Sequence, residues 1–226
     1  MGPGGAGGYS VGKAFSYAFT KFGKHWAPLV LVTLVLLVGS AIVQGIQRVV
    51  VPAPDSGEGI GAAGFFGLAM ILSLLFSALS WAVQLIVQSV IVKGSLDVTR
   101  GRPLDLGSAM SGINWGQVII ASLIIGAMTF VGLLLCIIPG IAVLFFTFFT
   151  LFFVIDRGQD AVTALKSSFT MVKSNAGVLL LFFIAQFALL IAGLCLFFVG
   201  LLVAIPVVVL AQAYTFRMLN GEQVMA

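Results

Sequence analysis

The sequence predicts an all-α, polytopic membrane protein with about six transmembrane helices, paired as three hairpins, each hairpin preceded by a short amphipathic interfacial helix. Composition, segment length and charge placement predict it. Of 226 residues, 61% are hydrophobic and only 8% charged, where a soluble domain carries about 25% charged residues. So few charges cannot furnish a water-facing surface, so the apolar residues must meet lipid. The apolar residues also fall in runs of about 20, the length a helix needs to cross a hydrocarbon core of about 30 Å.

The runs place spans at 27–47, 65–92, 116–136, 140–155, 176–197 and 200–217. Gln44, Gln47 and Arg48 mark the exit of the first, and the Pro/Asp/Gly-rich stretch VVVPAPDSGEGIGAAG separates it from the second. From Gly116 to Ile155 the chain is apolar for 40 residues, too long for one span. Ile138-Pro139-Gly140 supplies the breaker that divides it into two. A second long stretch from Ala176 to Phe216 divides near Phe197–Gly200, leaving Pro206 inside the sixth span, where neighbouring groups satisfy the freed carbonyl. Residues 1–10, MGPGGAGGYS, read as a flexible Gly-rich cytoplasmic tail without the basic region or cleavage site of a signal peptide, and 11–226 as a single transmembrane domain.

Charge tests this count separately. Lys13, Lys21 and Lys24 precede the first span; Lys93, Arg100 and Arg102 lie between the second and third; Arg157, Lys166 and Lys173 lie between the fourth and fifth; Arg217 ends the sixth. Only Arg48 of the 11 basic residues falls on the other side. The positive-inside rule makes the basic side cytoplasmic, with both termini there. Five or seven spans would scatter these charges over both faces. Because the basic residues are interleaved with apolar segments, the pI of 9.3 reports orientation and not nucleic-acid binding.

The segments before spans one, three and five resemble one another: GKAFSYAFTKFGKHW, PLDLGSAMSGINWGQ and VTALKSSFTMVKSNA. At offsets of 91 and 59, Phe15, Leu106 and Leu165 align, as do Phe19, Met110 and Phe169, each of the latter followed by a hydroxyl residue, Thr20, Ser111 or Thr170. Apolar residues at i and i+4 amid polar ones describe a short amphipathic helix that lies flat in the interface. Cys136 and Cys195 also differ by 59 and fall at equivalent hairpin turns. Repetition of this kind occurs in transporters and in scaffolds.

No ionisable residue lies centrally in any predicted span, whereas ion-coupled pumps commonly keep such groups despite their cost of about 2.5–3.5 kcal/mol. The most pointed polar feature is on the second span. Ser73, Ser77, Ser80, Gln84 and Gln88 fall within about 80° of one another at 100° per residue. The stripe must face protein or water, either as helix–helix packing or as the polar lining of a pathway. Phe145, Phe146, Phe148, Phe149, Phe152 and Phe153 surround the fourth span and serve lipid contact and packing. Trp26 and Trp115, where spans meet the interface, are anchors. Lys21, Lys24, Lys166 and Lys173 are placed to contact anionic lipid headgroups. Asp156, Arg157 and Asp160 cluster where the fourth span leaves the membrane, and Asp160 is placed to cap the following helix.

Catalytic signals are missing from the sequence. There is no nucleophile–base pair, phosphate-cradling loop or metal-ligand spacing; the two cysteines lie in apolar runs and His25 is the single histidine. The expectation is a non-enzyme without metal or cofactor.

Two stretches carry a resemblance. GSLDVTRGRPLDLGSAMSG resembles a cytoplasmic linker, and IIPGIAVLFFTFFTLFFVIDRGQDAVTALKSSFTMVKSN the central signature, of a poorly characterised bacterial six-helix integral membrane family. The pattern is similar to the membrane domain preceding some glycerophosphodiester phosphodiesterases and to actinobacterial proline/glycine-rich transmembrane proteins. The resemblance covers roughly Lys93 to Arg217 and implies a six-helix fold and a bacterial cytoplasmic membrane location, with no catalytic residues and no phosphodiesterase activity. The functional expectation is a non-catalytic scaffold or accessory subunit of a membrane assembly, with the lipid bilayer and either a membrane-protein partner or a second copy as its contacts. The alternative is a passive channel or transporter for a lipid or small molecule.

Overall fold

The computed structural model describes residues 9–24, 26–50, 62–102, 107, 110, 112–196 and 200–225, and every regular element among them is helical. In order these are α1 (Val11–Lys24), α2 (Trp26–Val50), α3 (Ala62–Thr99), α4 (Trp115–Leu135), α5 (Ile137–Phe146), α6 (Thr150–Arg157), α7 (Ala161–Ser174), α8 (Ala176–Cys195) and α9 (Leu201–Leu219). Among the described residues, five stretches are long and apolar enough to cross a membrane: Ala69–Thr99, Trp115–Leu135, Ile137–Arg157, Ala176–Cys195 and Leu201–Leu219. The chain is therefore an all-helical protein of multi-pass membrane character. The 25 residues of α2 extend about 37 Å at 1.5 Å per residue.

The first long apolar stretch breaks at Cys136, where the third predicted span ends. Cys136 is extended (φ −177°, ψ 160°) and α5 begins at the next residue. Pro139 thus sits in the first helical turn, where its missing N–H leaves nothing unsatisfied. The backbones of α4 and α5 touch, because a Cβ on Gly132 would lie 3.0 Å from the Cα of Gly140. The same device recurs between the end of α8 and the residue before α9: a Cβ on Gly200 would lie 2.6 Å from the carbonyl oxygen of Gly193. Residues 197–199, where the sequence places that turn, lie outside the described residues.

The stretch read as span four is itself divided. α5 and α6 are separated by a turn at Thr147, Phe148 and Phe149. Ser168 of α7 splices this break, its hydroxyl donating to the carbonyl of Phe146 at 2.8 Å and accepting from the N–H of Phe149 at 3.1 Å. A serine on an otherwise ordinary amphipathic helix thereby satisfies backbone groups freed inside an apolar environment.

α1 and α7 occupy the predicted amphipathic segments, and their sides match residue for residue. Ala14 and Ala18 are buried, as are Ala164 and Ser168 150 residues later. Phe19 and Phe169 point outward, 47% and 46% exposed. Thr20 and Thr170 each donate a hydroxyl to the carbonyl four residues back, at 2.9 Å. Phe15 packs inward by stacking on Phe182, with ring centroids 5.4 Å apart, while small residues one position before the outward Phe19 and Phe169 let these helices approach the bundle. In the middle segment, residues 103–106, 108, 109 and 111 lie outside the described residues. The helices that follow begin at Trp26, Trp115 and Ala176, and each buries its fourth residue, Leu29, Val118 or Leu179.

α9 forms the centre of the bundle, packing on α1, α2, α3 and α8. Its buried Phe216 meets Phe149, Phe152 and Phe153 at ring-centroid distances of 4.9–6.0 Å. These phenylalanines of the fourth predicted span therefore serve packing, whereas Phe145, Phe146 and Phe148 are only half-buried.

Candidate functional site

The last turns of α3, α6 and α9 converge on an ion-pair network. Arg217, at the end of α9, is its hub. Its Nε donates to Thr99 Oγ1 at 2.6 Å, its Nη2 to Asp156 Oδ1 at 2.9 Å, and its Nη1 to Glu222. Arg100 reaches the same Asp156 oxygen at 2.8 Å, and Arg157 pairs with Glu222. The side chains of Asp156 and Arg217 are 1% and 4% exposed. Asp156 lies in the last turn of α6, where the helix dipole disfavours negative charge. Two guanidinium groups in direct contact offset that cost and the cost of desolvation. Beside them Asp97, mostly buried, lies 3.8 Å from Arg102.

The C-terminal residues close over this cluster. The N–H of Met225 donates to the carbonyl of Thr99 at 3.1 Å, and the Tyr17 hydroxyl to the carbonyl of Met225 at 3.3 Å. At the start of the chain, Tyr9 bonds to Thr215 Oγ1 at 2.9 Å. Burial pushes the Tyr9 and Tyr17 phenols up to about 12, so both stay neutral donors near pH 7. The arrangement fastens helix ends together; it presents no nucleophile beside a base. Among the described residues no three of His, Cys, Asp and Glu gather as a metal site.

A second polar feature runs along α3. Ser77, Gln84 and Gln88 are exposed, and Ser73 and Ser80 half-buried. The inward side of α3 at this level carries Leu85 and Ser89, turned away from the stripe. Among the described residues no hydrogen bond reaches the amide of Gln84 or Gln88. Elsewhere in the bundle two glutamines do pair: Gln212 Nε2 of α9 donates to Gln186 Oε1 of α8 at 3.0 Å, and Gln186 is 4% exposed.

Relatives of the chain exist in mycobacteria. An uncharacterised protein of Mycobacterium bovis is 33% identical over 230 aligned residues, covering 96% of this chain and 70% of the relative. Uncharacterised proteins from two strains of Mycobacterium tuberculosis match with the same identity and coverage. The chain belongs to this family. No family model matches the chain, and no solved structure matches it. The names of these relatives describe no activity.

The remaining predicted residues divide between exposed and inward positions. Lys24, Lys166 and Lys173 are exposed. Lys21 is turned inward, with its ammonium 5.6 Å from the Tyr17 ring centroid, a cation–π contact that takes it away from the surface. Trp26 is exposed, while Trp115 is half-buried against the core. Asp160 caps α7, accepting from the N–H of Thr163 at 3.1 Å, and these bonds hold its carboxyl below the usual range.

Sequence reasoning found Asp156 and Arg157 but missed their partners. Arg217, Glu222, Arg100 and Thr99 are far from them in the chain, and only tertiary folding unites them. The available signal was chemical: an acidic residue ending an apolar helix requires a cation. The Gln186–Gln212 pair had a signal too, as isolated amides within two apolar runs.

Proposed function

We propose that this chain is a non-catalytic subunit or scaffold of a membrane assembly, spanning a bacterial cytoplasmic membrane six times as three hairpins. In this reading α2 is the first span, α3 the second, α4 the third, α5 with α6 the fourth, and α8 and α9 the last two. Both termini lie on the cytoplasmic side with the arginine network. Lys24, Lys166 and Lys173 contact anionic headgroups there, while Phe19 and Phe169 dip into the interface.

The observation that carries the assembly role is the outward stripe of α3, whose Gln84 and Gln88 amides have no hydrogen-bond partner among the described residues. An amide facing hydrocarbon without a partner is costly. Within this chain, the buried amide of Gln186 is satisfied by another helix. A protein surface against α3 does for Gln84 and Gln88 what α9 does for Gln186.

The test is extraction of the wild type and of a Gln84→Leu/Gln88→Leu variant directly into native nanodiscs, with the mass of the particle's protein measured. The wild type is expected above the single-chain mass of 23.7 kDa, and the variant at it. Unchanged mass in the variant, combined with lost solute flux in vesicles, would replace the scaffold by a passive pathway. Topology is checked by cysteine labelling: Ser56→Cys from outside the cell and Ser108→Cys from the cytoplasm, with reversed labelling rejecting the orientation.

A further inference from the structure

The geometry points to a second copy of this chain as the partner of α3, paired in parallel across a twofold axis along the membrane normal. This rests on the assembly reading above and specifies its partner. Copies inserted in the same membrane share one orientation, so a twofold contact between identical helices sets each residue near its own counterpart. The stripe suits that symmetry because nothing in it repels itself. It carries no charge, and an amide is both donor and acceptor, so Gln84 can bond Gln84 and Gln88 can bond Gln88 across the axis.

Packing supports the same arrangement. Ser73, Ser77 and Ser80 are small enough to let two helix backbones approach, with the longer glutamines following nearer the charged end. The path is also open. In the membrane portion of α3 only 6% of its most apolar window is buried, and the turns that are buried, Ser89 to Thr99, lie beyond the stripe. The pair Gln186–Gln212 shows the bond type already formed between two helices of this bundle. A hydrophilic solute path would need a second polar wall facing the stripe. A twofold supplies that wall from the copy itself and closes it.

Cysteine cross-linking in native membranes tests this with the full chain. Cys136→Ser and Cys195→Ser remove the native thiols, both of which are exposed. Single cysteines are then placed on the stripe (Ser77→Cys, Gln84→Cys) and on the far side of α3, at the exposed Leu79 and Ile86. Disulfides demand Cα separations of about 4.4–6.8 Å, so the result is sensitive to the face presented. Oxidation is expected to give a product of twice the chain mass from the stripe cysteines, at least tenfold more than from Leu79→Cys or Ile86→Cys. Equal yields from both sides would overturn the pairing. A stripe-specific adduct of another mass would overturn the second copy while keeping the assembly reading. No product from any position, with a single-chain mass in nanodiscs, would overturn both.

Discussion

α3 and α9 are both helices apolar enough to cross a membrane, yet the chain uses them oppositely. In its most apolar window α9 has 56% of its residues buried and α3 has 6%. Three polar side chains of α9 find hydrogen-bond partners inside the chain: Gln212 on Gln186, Thr215 on Tyr9, and Arg217 on Thr99, Asp156 and Glu222. On α3 the last turn is held the same way, through Thr99 and Arg100, but the stripe in its membrane portion is not. Hydropathy alone treats the two as equivalent. What separates the two helices is where their polar groups are satisfied, and in the proposed assembly the stripe of α3 is satisfied by a neighbour outside the chain.

The largest effect that would sharpen this comparison belongs to the hub of α9. Arg217→Ala leaves Asp156 buried with one guanidinium fewer and is expected to cost about 3–5 kcal/mol, read as a fall in thermal unfolding temperature in lipid nanodiscs. An unchanged midpoint would show the network to be incidental. At the other end of α9, Gly200→Val drives a side chain into the Gly193 backbone and should cost about 1–3 kcal/mol. Within the span, Gln212→Leu strands the buried Gln186 amide, a loss of about 0.6–1.7 kcal/mol for a membrane hydrogen bond. The α3 substitution Gln84→Leu, assayed on the isolated chain in detergent, should change stability by about 0.5 kcal/mol or less. A cost equal to that of Gln212→Leu would mean that α3 is bonded within the chain after all.

Much of the architecture was legible because membrane helices announce themselves by length and apolar content. The predicted spans 116–136 and 176–197 agree with α4 and α8 to within two residues. The amphipathic segments before the first and fifth spans are helices, and Asp160 caps the second of them. Details that depend on three-dimensional approach were not legible. The break between α5 and α6 is repaired by Ser168 from another helix, so the apolar run reads as uninterrupted. α3 continues to Thr99, past its predicted end at Val92, because Lys93 is only half-buried and Asp97 pairs with Arg102, so charge does not stop the helix. Lys21 looked like a surface cation from its place among lysines, and its burial over Tyr17 depends on how α1 is rotated against α9. The polar stripe was visible from spacing alone, but that it faces away from the bundle was not.

The central claim is that the glutamines of α3 and those of α8 and α9 answer to different partners. Counting photobleaching steps of singly labelled chains diluted into lipid bilayers tests it most directly. The wild type and a Gln186→Leu/Gln212→Leu variant are expected to bleach mainly in two steps, because removing both members of an internal pair leaves no orphaned amide. Gln84→Leu/Gln88→Leu is expected to bleach in one. A two-step majority persisting in that variant would contradict the account.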